Sequence, residues 1–135
     1  SLRVAHLEGA NLVGAHLLGA DLFNAKLTGA DMSKAILTKA NLRSANLSEA
    51  HLEYANLEGA NLRGANLSGA DLRHVSLQGA NLRGATLRGA DLENATLPDG
   101  KQGYDGMDTQ HFTDRQHSKY KSTLEKINAF CEERD

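Results

Sequence analysis

Hydrophobic and polar residues recur along residues 1–98 with a period of five. The central position of each unit falls at residue 2, 7, 12 and so on to 97, and it is Leu at all 20 positions except Met32. A small residue follows three positions later, and it is Ala at 18 of 19 positions, with Val75 as the exception. A short polar residue, usually Asn or Asp, precedes each Leu. Neither a helix nor a flat strand has this period, so the pattern predicts a repeat architecture.

The stretch ANLEG-ANLRG-ANLSG-ADLRH at 55–74 shows the unit most plainly. It resembles the A(D/N)LXX consensus of the pentapeptide-repeat family, including cyanobacterial members, over about 97 of 135 residues. The resemblance implies an all-β solenoid, specifically a right-handed quadrilateral β-helix in which each unit forms one of four sides. Four units then make a coil of 20 residues, and residues 1–98 make about five coils.

Leu and the preceding Ala are expected to point inward, so that residues twenty apart stack in columns. A narrow core of this kind explains why aromatic residues are only 4% of the chain and Trp is absent. Met32 is a replacement that conserves volume, and Val75 should only crowd its corner.

The last residue of each unit is Gly at 10 of 20 positions, which suggests a positive φ of the kind a type II turn requires. The units that end at Lys34, Lys39, Ser44, Glu49 and Tyr54 lack this Gly. We therefore predict that these corners use another turn type with negative φ.

The repeat stops at Leu97-Pro98-Asp99-Gly100, where Pro removes a hydrogen-bond donor and Asp-Gly favours a turn. We predict a loop over 99–112 and an amphipathic helix over 113–133. Spacings of four, three and four residues place Tyr120, Leu124, Ile127 and Cys131 on one face of this helix, which is its predicted contact face. Its expected role is to cap the last coil, and docking on a partner or pairing in a dimer are the alternatives.

Charge and cysteine content narrow the class of protein. The formal net charge is −2, and residues 1–97 carry nine basic and nine acidic residues, so no strongly basic domain is present for nucleic acid. The single Cys131 excludes an internal disulfide and fits a reducing compartment. We expect a cytoplasmic protein without a membrane span, although a targeting segment could precede Ser1.

Catalytic chemistry is not indicated. The six histidines do not gather in one column, and His111, Asp114, His117 and Cys131 match no zinc spacing. The column Asp31/His51/Asp71/Asp91 resembles an acid–base array, but a convex wet surface should leave its pKa values unperturbed. We therefore predict no catalytic, cofactor-binding or metal-binding residues and no enzyme activity.

Two groups of outward residues are candidate partner surfaces. Arg43, Arg63 and Arg83 occupy one column in consecutive coils and could face an anionic partner. The alternative is a solvated face in which Asn41, Asn61 and Asn81 form a hydrogen-bonded ladder.

The second group is apolar and lies at the start of the repeat, where Val13, Leu18 and Phe23 point outward. This patch could contact a partner or a second copy, pack under a preceding segment, or be incidental.

These features favour a non-catalytic protein–protein interaction or scaffold module. The alternative implied by the resemblance is a DNA-mimic inhibitor or protector of a type II topoisomerase such as DNA gyrase, which the neutral repeat makes the second choice. The expected partner is another protein, with no nucleic acid and no membrane. The chain is expected to be a monomer or a dimer through an end of the solenoid.

Overall fold

The computed structural model describes residues 1–100 and 127–132. Single-residue parallel bridges join positions twenty apart along the repeat, from His6↔Lys26 to Ser76↔Thr96. The prediction that residues twenty apart stack is confirmed. In residues 1–100 these bridges do not extend into longer strands, because each unit offers one pairing residue between successive turns. A helix, α1, occupies 127–131.

Because four units make one coil, the repeat has four sides, which we number by their first central Leu. Side 1 contains Leu2, side 2 Leu7, side 3 Leu12 and side 4 Leu17, and each side recurs every twenty residues. Sides 1 and 3 are therefore opposite, as are sides 2 and 4. Coils are counted in twenties from Ser1.

Three backbone hydrogen bonds per unit hold successive coils together. On side 1, the N–H of Leu22 donates to Asn41 at 2.7 Å, that of Asn24 to Arg43 at 2.9 Å, and that of Asn41 back to Ala20 at 2.8 Å. A turn bond, Ala25 N–H to Leu22 at 3.0 Å, closes each corner. Nearly the same set recurs through the repeat, so the outward side chains are carried on a regular frame.

The inward Leu and Ala form one continuous core. From Leu22 to Leu77 the central side chains, Met32 included, are fully buried. Burial of each Leu contributes roughly 1.5–3 kcal/mol. Val75 is also buried, and its corner bond of 3.2 Å is only slightly longer than its neighbours. The four Leu of the first coil are only partly buried.

The corner residues from 34 to 54, none of which is glycine, have positive φ, contrary to the prediction from the sequence. Every corner residue from Val4 to Asn94 has a positive φ, between 57° and 73°, including Lys39 at 58° and Tyr54 at 61°. The prediction of negative φ for the corners from 34 to 54 is wrong. Each corner N–H must point along the axis to the next coil, as Lys39 does to Glu58 at 2.8 Å. The frame thus imposes the left-handed conformation despite a cost of roughly 1–2 kcal/mol per non-glycine residue.

The repeat ends with a shifted turn and a helical contact. Gly100 donates to Leu97 at 2.8 Å and itself carries the positive φ of 82°. Ile127 in α1 is fully buried in the core, and Phe130 and Cys131 pack against it. The N–H of Gly84 donates to the carbonyl of Cys131, which takes the place of the acceptor that a further coil would offer.

Most of the predicted helix over 113–133, including Tyr120 and Leu124, lies outside the described residues. The described part of the chain contains no helix that is long and apolar enough to cross a membrane.

Candidate interaction surfaces

The polar residue before each Leu fixes the start of the corner that follows. The Oδ1 atoms of Asn41, Asn61 and Asn81 accept the backbone N–H of Arg43, Arg63 and Arg83 at 3.2, 3.1 and 3.0 Å. These are Asx turns, in which a side-chain oxygen caps the backbone two residues later. The Asn ladder considered above is therefore replaced by local bonds, because the backbone N–H two residues later is the nearer donor. Only Asn41 also reaches the coil before it, donating to Asp21 at 3.2 Å.

Arg43, Arg63 and Arg83 on side 1 are all exposed and stand in one column. Among residues 1–100 and 127–132, no carboxylate forms an ion pair with Arg43 or Arg83. Arg83 also lines a groove of about 470 Å³ between the last coil and α1, together with Leu82 and Phe130. The structure thus places the predicted arginine column on one outer side, as the spacing required.

Arg3, at the start of the same side, is engaged differently. Its Nη1 lies 3.1 Å from Asp21, and its guanidinium stacks 4.5 Å above the ring of Phe23. The hydrogen bond from Arg3 lowers the pKa of Asp21 against a smaller opposing effect of burial. Phe23 is consequently half-buried, whereas Val13 and Leu18 remain 50% and 68% exposed.

The predicted apolar residues therefore do not form an equally open patch. Val4, which the sequence analysis did not include, is 48% exposed in the same coil as Val13 and Leu18. Its outward corner position in the first coil could have identified Val4 as an exposed apolar residue from the sequence.

Side 3 carries a charged network centred on Arg73. Its Nη2 lies 2.6 Å from Asp71 Oδ2 and 3.3 Å from Glu53, while its Nε bonds Asp71 Oδ1 at 2.8 Å. Asp91 lies 3.9 Å from the same Nε. Partial burial alone would raise the pKa of Asp71, but the hydrogen bonds from Arg73 and its surroundings outweigh it and lower that pKa.

Asp31 shows a related perturbation. Ser33 donates both its hydroxyl, at 2.7 Å, and its backbone N–H, at 3.1 Å, to Asp31 Oδ1. These bonds lower the pKa of Asp31. The expectation of unperturbed pKa values in the Asp31/His51/Asp71/Asp91 column is therefore wrong, because local donors act even on a convex surface.

Potential metal ligands do meet on side 3. Ligand atoms of His51, Glu53 and Asp71 lie within 4.8 Å of one another. The Arg73 guanidinium already occupies oxygens of both carboxylates. This arrangement is an ion-pair network, and we assign no metal to it.

Two further features were missed at the sequence level. Tyr54 and His74, twenty residues apart, stack with ring centroids at 4.5 Å and an interplanar angle of 1°. Aligning corner residues at a spacing of twenty would have found this pair. Burial also raises the pKa of the Cys131 thiol to about 11. His111, Asp114 and His117 lie outside the described residues.

A frame of stacked five-residue sides around a Leu/Ala core defines a four-sided β-solenoid. The family model described as pentapeptide repeats (8 copies) matches residues 1–38, 40–79 and 76–99. The chain therefore belongs to the pentapeptide-repeat family. The family resemblance on which the fold was predicted is thus confirmed.

The chain is also similar to solved structures of pentapeptide repeat proteins. The chain is similar to AT2G44920, a pentapeptide repeat protein from the Arabidopsis thaliana thylakoid lumen, at 29% identity and a TM-score of 0.58, covering 77% of this chain and 83% of that one. It is 37% identical to Rfr23 from the cyanobacterium Cyanothece 51142 over 64% of this chain and 58% of that one, with a TM-score of 0.46.

A third similar structure is HetL, involved in heterocyst differentiation regulation in the cyanobacterium Nostoc sp. strain PCC 7120. It shows 28% identity over 75% of this chain and 76% of that one, with a TM-score of 0.35. A search of curated proteins gave no match. No catalytic family is indicated, and pentapeptide-repeat proteins are generally structural or interaction modules.

Proposed function

We propose that this chain is a non-catalytic protein-interaction module whose side 1 binds an acidic surface of a partner protein. The observation that carries the proposal is the column of exposed Arg43, Arg63 and Arg83 in three consecutive coils. Arg3 and Arg73, elsewhere on the repeat, pair with carboxylates of this chain. No other column of outward positions in residues 1–100 carries three basic residues.

Arginine in a fixed array suits this role. Its planar guanidinium binds carboxylates in a bidentate manner and is weakly hydrated, so it is common in interfaces. The Asx turns at Asn41, Asn61 and Asn81 hold the backbone from which the three side chains project. A held backbone reduces the ordering cost of association.

A protein partner fits better than nucleic acid. Three arginines neutralise few phosphates, whereas DNA-binding affinity depends on many such contacts. The formal net charge of −2 also repels a polyanion at long range.

Charge reversal on matched sides tests the proposal. The variant Arg43→Glu/Arg63→Glu/Arg83→Glu is compared with Lys26→Glu/Lys39→Glu/Arg88→Glu, which changes the net charge equally on sides 2 and 4. Both are used to capture partners from the native extract, with bound proteins eluted by salt. We expect the first variant to lose acidic partners that the wild type and the second variant retain. Equal capture by both variants would exclude side 1.

A second candidate is that side 3 mimics nucleic acid on a type II topoisomerase. The observation in its favour is the run of carboxylates at Asp31, Glu53, Asp71, Asp91 and Glu93 on that side. Arg73 interrupts the run and pairs with two of them, which is why this function ranks second. DNA supercoiling by gyrase with added protein separates the two, because only the second candidate predicts inhibition.

We further infer that the folded unit has about five coils and that the helix over 113–133 closes the last one. The burial of Ile127 against the last coil supports the closure. Ile127→Asp should lower the midpoint of thermal unfolding, whereas the exposed Asn128→Asp should not. If both variants unfold like the wild type, α1 does not act as the cap.

A further inference from the structure

The outward charges of the repeat are divided between two opposite sides. Side 1 carries four arginines, at 3, 43, 63 and 83, against the single Asp21, for a formal charge of +3. Side 3 carries five carboxylates, at 31, 53, 71, 91 and 93, against Lys34 and Arg73, for a formal charge of −3. The zero net charge of residues 1–97 therefore hides a separation of charge across the width of the solenoid.

The two remaining sides lack this character. Side 2 carries Lys26 and Arg88 against Glu8 and Glu49. Side 4 carries Lys39 against Glu58 and Asp99. Of the two pairs of opposite sides, only sides 1 and 3 therefore carry opposite formal charges of equal size.

Both charged columns also share one axial spacing. Arg43, Arg63 and Arg83 occur once per coil, and side 3 carries at least one carboxylate in each of coils 2 to 5, at Asp31, Glu53, Asp71, Asp91 and Glu93. Coils stack at about the usual strand spacing of ~4.8 Å. A second copy with a parallel axis has this spacing automatically, so its acidic side can lie along the arginine column over several coils.

We propose that a second copy of this chain docks its acidic side 3 on the basic side 1, so that the solenoids associate side by side. The proposal rests on the proposed function of side 1 and names one partner for it. Each copy would use a different side, so the contact is heterologous and leaves both outer sides available for further copies. Association of this kind is open-ended, individually weak and sensitive to salt.

The Arg73 network limits which acidic groups take part. Asp71 and Glu53 are already paired with Arg73. Asp31, Asp91 and Glu93 are not within 3.5 Å of an arginine or lysine nitrogen in the described residues. These three are the groups on which a neighbouring side 1 would act.

Two variants divide the interface into its halves. The basic-side variant is Arg43→Glu/Arg63→Glu/Arg83→Glu. The acidic-side variant is Asp31→Asn/Asp91→Asn/Glu93→Lys, in which Asn keeps the oxygen that accepts the backbone N–H two residues later. The close contacts of Arg73 with Asp71 and Glu53 are untouched. Lys26→Glu/Lys39→Glu/Arg88→Glu is the control with the net charge of the basic-side variant.

Sedimentation velocity of the full chain is measured at rising protein concentration in about 0.01 M and 1 M salt, where the Debye length falls from roughly 30 Å to 3 Å. We expect the wild type and the control variant to sediment faster with concentration at low salt only. Each half variant alone should remain monomeric. An equal mixture of the two should form pairs and stop there, because each copy retains one functional side.

Pairing in the mixture would show that both variants are folded, and circular dichroism of each variant checks its folding independently. Wild-type protein that stays monomeric at low salt, a basic-side variant that still associates, or a mixture that does not pair would each overturn self-association. If the basic-side variant nevertheless loses a captured acidic protein, the proposed function of side 1 stands and only the identity of the partner is refuted.

Discussion

Replacing Leu57 by Ala tests the inward core at a position that has a fully buried Leu of the same column in the coil on either side. Leu57 is fully buried, with Leu37 and Leu77 of the same column also fully buried in the coils on either side. Removal of a buried Leu side chain costs roughly 2–5 kcal/mol, and more when the cavity cannot collapse. Collapse is opposed here by the backbone bond from Leu57 to Ser76 at 2.8 Å and by the turn bond from Ala60 to Leu57 at 3.0 Å. We therefore expect a loss in the upper half of that range.

Urea unfolding followed by far-ultraviolet circular dichroism measures this loss. With a slope of about 1–3 kcal/mol per molar urea, a loss of roughly 4 kcal/mol moves the midpoint by about 1.3–4 M. Leu7→Ala is the matched control, since Leu7 in the first coil is only partly buried and should cost less. A wild-type midpoint for Leu57→Ala, or equal losses for the two variants, would refute the inward assignment.

Three further outcomes are expected. Gly14→Ala should lower the free energy of unfolding by about 1 kcal/mol, since φ is +66° although no atom lies within 4 Å of the added methyl group; an unchanged urea midpoint would show that the corner imposes no strain. The pKa of Asp71 is lowered in the folded state, so its contribution to stability is present above about pH 4 and is lost as the pH falls further. The free energy of unfolding of Asp71→Asn should accordingly fall less than that of the wild type as the pH is lowered from about 5 to about 2. An identical pH dependence of the two proteins would contradict the Arg73 pairing. The half-buried Cys131, with its pKa raised to about 11, should react with a thiol reagent far more slowly at pH 7 in native protein than in denaturant, and equal rates would place it in solvent.

The five-residue period was sufficient to predict the inside of this protein. Central Leu and small Ala recur with only Met32 and Val75 as exceptions, and both positions are buried from Leu22 to Leu97. The stacking at a spacing of twenty came from the family resemblance, and the bridges confirm it.

The corners could not be predicted in the same way. The preference of glycine for positive φ is a local property. The absence of glycine at Lys39, Glu49 and Tyr54 therefore favoured a different turn in the prediction. The hydrogen bonds between coils are non-local and require one corner geometry throughout, so they override that preference.

The candidate surfaces were predictable in position but not in contact. The arginine column follows from counting in twenties, whereas the stacking of Arg3 on Phe23 and the contacts of Arg73 depend on side-chain conformations. The lowered pKa values of Asp31 and Asp71 have the same origin, because they arise from donors that become neighbours only in the folded coil.

The outward residues of this solenoid repeat every twenty residues, whereas the inward residues repeat every five. Any whole unit can be removed or added without disturbing the Leu column, since every unit has the same inward residues. Loss of the five residues 45–49 would leave the core intact but would rotate everything after them by one side. Arg63 and Arg83 would then leave the column of Arg43 and move to side 4. Only changes by multiples of twenty residues conserve both the core and the surface, so length variation in such a chain can redirect its binding side without a single substitution.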